Sequence, residues 1–132
     1  MANRHHDLVA ARAGYRCEYC RFPASFSDAK FVCDHIIARK HDGLDVAENL
    51  ALSCPDCNSH KLDNIAGVDF SPHEPVRLFN PRRDIWMQHF RWSHATLIGL
   101  TPIGRATIKV LAINREDRVD TRAGLMKEGL AF

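Results

Sequence analysis

"FVCDHIIARKHDGLDVAENLALSCPDCNSHK", residues Phe31 to Lys61, gathers three cysteines, three histidines, four aspartates and two asparagines into one stretch. A hydrophobic core needs none of them. The reading of this stretch turns on whether they build a metal-held knot, a catalytic centre, or both. Its local patterning is βturnβα: Lys30 to Ile37 has the apolar content of a strand, "HDGLD" is turn chemistry with Gly43 supplying backbone freedom, Asn49 to Ser53 suits a second strand, and Pro55 to about Leu62 a short helix.

The terminal Cys54-x-x-Cys57 has a counterpart upstream in Cys17-x-x-Cys20. Each turn presents two thiolates to one ion, and two turns close a tetrahedral shell, so Cys17, Cys20, Cys54 and Cys57 are expected to hold structural Zn2+ with no open position. Thirty-three residues separate Cys20 from Cys54, so the ion closes a long loop that contains both strands. Neither pair sits in a βαβ pattern, which speaks against a thioredoxin-like redox role. The odd fifth cysteine, Cys33, lies in an apolar stretch and reads as a small buried hydrophobe.

Asp34, His35, Asn49 and Asn58 then remain. Adjacent strand residues point to opposite faces, yet where a strand ends and bends, Asp34 and His35 can approach one site. Asn58 follows the last thiolate directly and is positioned with it. A carboxylate and an amide oxygen are hard ligands that suit Mg2+ or Mn2+, an ion usually completed by water and phosphate. A neutral His35 can accept a proton from an attacking water. His60, about 200° around the helix from Asn58, faces away, whereas Lys61 lies on the same side as Asn58. His41 reads as a solvated turn residue, and His5 and His6 as surface.

Together, "CEYC", "DHIIARKHDG" and "ENLALSCPDCNSHK" resemble the HNH nuclease motif over Cys17 to Lys61, about a third of the chain. The resemblance implies an α+β, ββα-metal core with the active site between hairpin and helix. It casts His35 as the general base and Asp34 as the acidic ligand of a catalytic Mg2+ or Mn2+. Asn49 becomes the central asparagine that braces the loop and orients the histidine. Asn58 stands where many members have the final histidine and others an asparagine, a metal ligand in either case. Lys61 falls on a basic position near phosphate. The implied activity is DNA hydrolysis to 5′-phosphate and 3′-hydroxyl ends. A ribonuclease, or a zinc module that binds without cleaving, remains an alternative.

The rest of the chain frames this core. At 132 residues it suits one compact domain, with an N-terminal helix and the nuclease core over 1–66 and a mainly helical extension over 67–132 packed on the same domain. Asn3 to Ala13 reads as a helix closed by Gly14. Residues 63–79 read as an irregular connector. Asn80-Pro81 and Thr101-Pro102 both place a capping residue before proline at a first helical position. They predict helices to Phe90 and to about Ile113, with a strand over Thr96 to Leu100 between them. Asn114 is read as the cap of a last helix to about Lys127. The aromatics Trp86, Phe90 and Trp92 are expected in the core. This tail also looks like the one that accompanies the nuclease core in short bacterial stand-alone HNH proteins.

Net charge is only +2, with 8 Lys+Arg against 9 Asp+Glu in residues 1–66 and 10 against 7 in residues 67–132. Nucleic-acid binding is therefore expected from local arginines, namely Arg82, Arg83, Arg91 and Arg105, rather than from a general positive field. No sequence-reading module is recognisable, so the expected partner is double-stranded DNA bound with low sequence specificity. No apolar run is long enough to span a bilayer and no signal-peptide pattern opens the sequence, so a cytoplasmic protein without membrane association is expected.

Overall fold

The computed structural model describes residues 3–132. Its polypeptide divides into two compact units, Met1–Ile65 with Asn80–Arg83, and Ala66–Phe79 with Asp84–Phe132.

The first unit is the predicted βturnβα. Helix α1 (His6–Arg12) turns Val9 and Ala10 inward and gives way to Gly14 at φ +65°. Strand β1 (Val32–His35) pairs antiparallel with β2 (Leu50–Ser53), with His35 opposite Leu50 and Val32 opposite Ser53. All four residues of β2 are buried, which makes it the spine of this core. Its second edge is also occupied: the Glu18 N–H donates to the Leu52 carbonyl (2.9 Å) and the Leu52 N–H to the Glu18 carboxylate (2.8 Å). A buried strand cannot leave these groups unpaired, so Glu18, in the Cys17–Cys20 turn, caps the free edge of β2 with its backbone and its side chain.

Helix α2 (Pro55–Lys61) follows at once. Proline occupies its first turn, where a missing N–H costs nothing, and the Cys54 sulfur accepts the Cys57 N–H. Gly43 serves the connecting loop differently from the expected backbone freedom. Asp42 takes the left-handed conformation (φ 64°, ψ 24°), while a Cβ on Gly43 would lie 1.6 Å from the Ile37 carbonyl oxygen. Glycine is required there for close approach of the chain to itself.

In the second unit, the stretch expected as connector forms a hairpin of β3 (Ala66–Val68) and β4 (Pro75–Arg77). The helix expected from Asn80 shrinks to α3 (Trp86–His89). Asn80, which opens the segment belonging to the first unit, instead accepts the Arg82 N–H at 2.9 Å with its side chain and the Arg83 N–H at 3.1 Å with its carbonyl. That is a turn: asparagine before proline carries the same signal for both outcomes. A second hairpin follows, β5 (Phe90–Ser93) with β6 (Thr96–Gly99), so four strands lie alongside the predicted helices.

Helix α4 (Pro102–Val110) starts as predicted, with the Thr101 hydroxyl accepting the Gly104 N–H at 3.0 Å. Helix α5 (Glu116–Lys127) has no side-chain cap. Asn114 is occupied elsewhere, bonding both the N–H and the C=O of Leu97 (2.9 and 2.7 Å). Phe90, Leu97, Ala106, Leu111 and Ile113 form the buried centre. Trp86 packs on Phe90 at 5.2 Å and on Trp92 at 6.0 Å; Phe90 is buried as expected, whereas the two tryptophans are half-buried at the edge of the core. Among the described residues no helix is long and apolar enough to cross a membrane.

Candidate metal centres and active site

The sulfur atoms of Cys17, Cys20, Cys54 and Cys57 all lie within 4.8 Å of one another, and all four residues are buried. The Cys20 and Cys54 sulfurs stand 3.7 Å apart. A disulfide would bring them to about 2 Å, whereas two thiolates bound tetrahedrally to zinc are separated by about 3.8 Å, given a Zn–S bond near 2.3 Å. Within each turn the second cysteine's N–H points at the first cysteine's sulfur, 3.5 Å for Cys20 and 3.4 Å for Cys57, which favours the thiolate form. Without a cation, four thiolates are poorly accommodated here. Sulfur hydrogen bonds from Cys17 and Cys20 push the Cys54 thiol up, and burial does the same to Cys57. A divalent cation removes that conflict, so the cluster suits zinc.

The second constellation gathers beside β1 and α2. Asp34, His35 and Asn58 line one cavity of about 280 Å³, together with Cys33, Ala38, Arg39, Leu62 and Asp63. Asp34 and His35 border it from consecutive positions because β1 ends at His35. Cys33, expected as a buried hydrophobe, is half-buried at the same cavity wall.

Asp34 is only 5% exposed. Its carboxylate accepts the Tyr19 hydroxyl at 2.6 Å and the Lys61 ammonium at 3.1 Å. Burial pushes the Asp34 carboxyl up, and Lys61 and Tyr19 oppose that shift. Burial and then the Asp34 charge raise the Tyr19 phenol well above its usual value, so it remains the donor. A carboxylate offers about four lone-pair sites, and these two bonds leave acceptor capacity for a cation on the cavity side.

Lys61 departs from the sequence expectation. It is 2% exposed, and its ammonium donates to Asp34, to the His35 carbonyl (3.1 Å) and to the Ile36 carbonyl (3.3 Å). Helical spacing from Asn58 puts it on the correct side of α2, but its three protons are spent on the end of β1 rather than offered to phosphate.

Asn49 closes the loop between the strands. Its side-chain oxygen accepts the Ile37 N–H at 2.9 Å, and its amide donates to the carbonyls of Ile37 (3.0 Å) and Leu44 (2.9 Å). The loop so held carries Asp45, which sequence reading passed over. Asp45 lies 3.2 Å from Nε2 of His35. No spacing rule connects residues ten apart across an irregular loop, so only the fold reveals the pair. Tyr19, inside the first C-x-x-C turn, escaped notice for the same reason.

Of the remaining histidines, His5 and His6 are half-buried and tied to the Asp45 and Phe31 carbonyls (3.3 and 3.2 Å) rather than free at the surface. His41 is exposed, and His60 bonds back to the Asp56 carbonyl at 2.8 Å.

The four arginines separate into two kinds. Arg82 is paired with Glu18, and Arg105 is paired with Asp69 at 2.9 Å. Arg83 and Arg91 are exposed and meet no carboxylate among the described residues.

No curated protein and no solved structure matches the chain. A family model described as HNH endonuclease matches residues 17–64, from the first zinc-cluster cysteine to just beyond α2. That family acts on nucleic acid. The matched residues include the cysteine cluster and every chain element bordering the cavity, so the similarity to HNH endonucleases takes in both candidate sites.

Proposed function

We propose that this chain is a divalent-metal-dependent endonuclease that hydrolyses the phosphodiester bonds of double-stranded DNA, leaving 5′-phosphate and 3′-hydroxyl ends. One observation carries the reading: an acid, a histidine and an amide that suit metal-assisted hydrolysis, Asp34, His35 and Asn58, line a single open cavity inside the segment matched to the nuclease family. Asp34 and Asn58 are the residues that would hold Mg2+ or Mn2+, whose positive charge offsets charge developing on the phosphate and the departing oxygen. His35 accepts the proton as a water oxygen bonds to phosphorus; the P–O3′ bond breaks, and the 3′ oxygen is protonated from solvent. Asn49 keeps the loop closed over His35. Lys61 and Tyr19 hold Asp34 in place. Arg83 and Arg91, exposed and meeting no carboxylate among the described residues, are the residues for phosphate contacts. Arg82 and Arg105 would first have to leave theirs.

The test is cleavage of supercoiled plasmid with Mg2+, with Mn2+ and with chelator, comparing wild type with His35→Ala. Wild type is expected to cut only with a divalent ion, and His35→Ala to be slower by about 10²–10⁴-fold. Undiminished activity of His35→Ala would sink the mechanism. Cleavage of RNA in place of DNA would make the chain a ribonuclease, and no cleavage of either would favour a zinc-stabilised binding module.

A further inference from the structure

His35 has two ring nitrogens, and the surroundings of one are built with unusual care. Its Nε2 lies 3.2 Å from Oδ1 of Asp45, and the two side chains are only 21% and 33% exposed. Asp45 is itself held from several directions. The Asn3 amide donates to the same Oδ1 at 3.0 Å, Arg39 lies 3.6 Å from Oδ2, and His5 contacts the Asp45 carbonyl at 3.3 Å. The neighbouring Leu44 carbonyl is fixed by Asn49. The Asn3 hydrogen bond first, then those of His35 and the Arg39 charge, hold the Asp45 carboxyl below the usual carboxylate range.

An ionised carboxylate only accepts hydrogen bonds. The hydrogen between this pair therefore belongs to Nε2, and a neutral imidazole has just one. The lone pair falls on Nδ1, which has no hydrogen-bond partner among the described residues, in a side chain that lines the cavity with Asp34 and Asn58. A carboxylate that fixes the tautomer and ring orientation of a functional histidine is a recurring device.

We infer that Asp45 is a positioning residue for His35: it binds Nε2–H, turns the ring, and leaves Nδ1 as the atom that accepts the water proton. This rests on the proposed nuclease reading. Asn3, before α1, belongs to the same device because it holds the Asp45 oxygen that His35 uses.

The experiment pairs kinetics with nitrogen NMR on the full chain. In 15N-labelled wild type at neutral pH, the His35 ring, assigned by comparison with His35→Ala, should show the Nε2–H form. Asp45→Ala should mix the two tautomers and lower kcat for plasmid cleavage by about 10–100-fold with KM little changed. The near-isosteric Asp45→Asn should also lower kcat, because an amide can present its NH2 to Nε2 and select the opposite tautomer. Asn3→Ala should give a smaller loss in the same direction. A wild-type tautomer and wild-type kcat in folded Asp45→Ala or Asp45→Asn would overturn the inference, as would equal changes in kcat and KM accompanied by lost stability. If wild type cleaves nothing, the nuclease reading fails, while the tautomer spectrum still decides whether Asp45 sets the state of His35.

Discussion

Lys61 shows how a single residue can be placed correctly by helical spacing and still acquire another job. Its position three residues after Asn58 follows from the α-helical repeat. Its burial does not, because that depends on β1 ending beneath α2, where the Asp34 carboxylate and two carbonyls need a donor. A fully buried ion pair is not a large net stabiliser, yet removing one partner leaves the other charge unmatched in a poorly solvated place. Lys61→Met is therefore expected to destabilise the folded chain by about 3–5 kcal/mol, measured as a shift in the urea midpoint. An unchanged midpoint would show that Asp34 finds another partner or is neutral in the folded chain. Asp34, His35, Asn49 and Asn58 were all legible as residues of interest. Tyr19 and Asp45 were not, since a tyrosine inside a C-x-x-C turn and an aspartate in a loop carry no signal until the chain folds back.

Among the elements, the ββα order was readable because hydrophobic strand content, turn residues and a proline-led helix start agreed over residues 30–62. Beyond residue 62 that agreement weakens. Asn80-Pro81 reads as a helix start, but the backbone uses it as a turn; the β3–β4 pairing needs α4, packed against both strands, to become stable. Gly67 in β3 shows how close that packing is, since a Cβ there would lie 2.7 Å from Cγ2 of Val110 on α4. Arg105 on α4 reaches Asp69 just after β3 with two parallel hydrogen bonds, 3.1 Å from Nε and 2.9 Å from Nη2. Those bonds hold the Asp69 carboxyl below its usual range. The stabilisation is complete above the unfolded-state value of about 4 and is lost as pH falls through the lower folded value. Urea midpoints measured from pH 7 to pH 3 should therefore fall more steeply below pH 4 in wild type than in Asp69→Asn. Parallel curves would show that the pair does not couple folding to protons.

Over the whole molecule, the cysteine cluster ties together segments far apart in the chain. It joins the turn after α1 to the start of α2, and so closes the segment containing β1, its loop and β2. Zinc held by four thiolates contributes on the order of 10 kcal/mol or more, comparable with the entire stability of a small domain. Cys54→Ser is expected to lose zinc by elemental analysis and the folded signal of the first unit by circular dichroism and proton NMR. A zinc-free variant that stays folded would refute the structural role. By itself the sequence determined the α+β class, the ββα order and the pairing of the four clustered cysteines, because each is carried by spacing or by local backbone preference; Asp34, His35 and Asn58 stood out by chemistry and position, and Asn49 through the resemblance to the HNH motif. Only the tertiary structure decided that Lys61 turns inward, that Arg82 and Arg105 are paired, and that Asp45 stands against His35. Those outcomes depend on which charges meet across the folded chain, and no periodicity along the sequence encodes that.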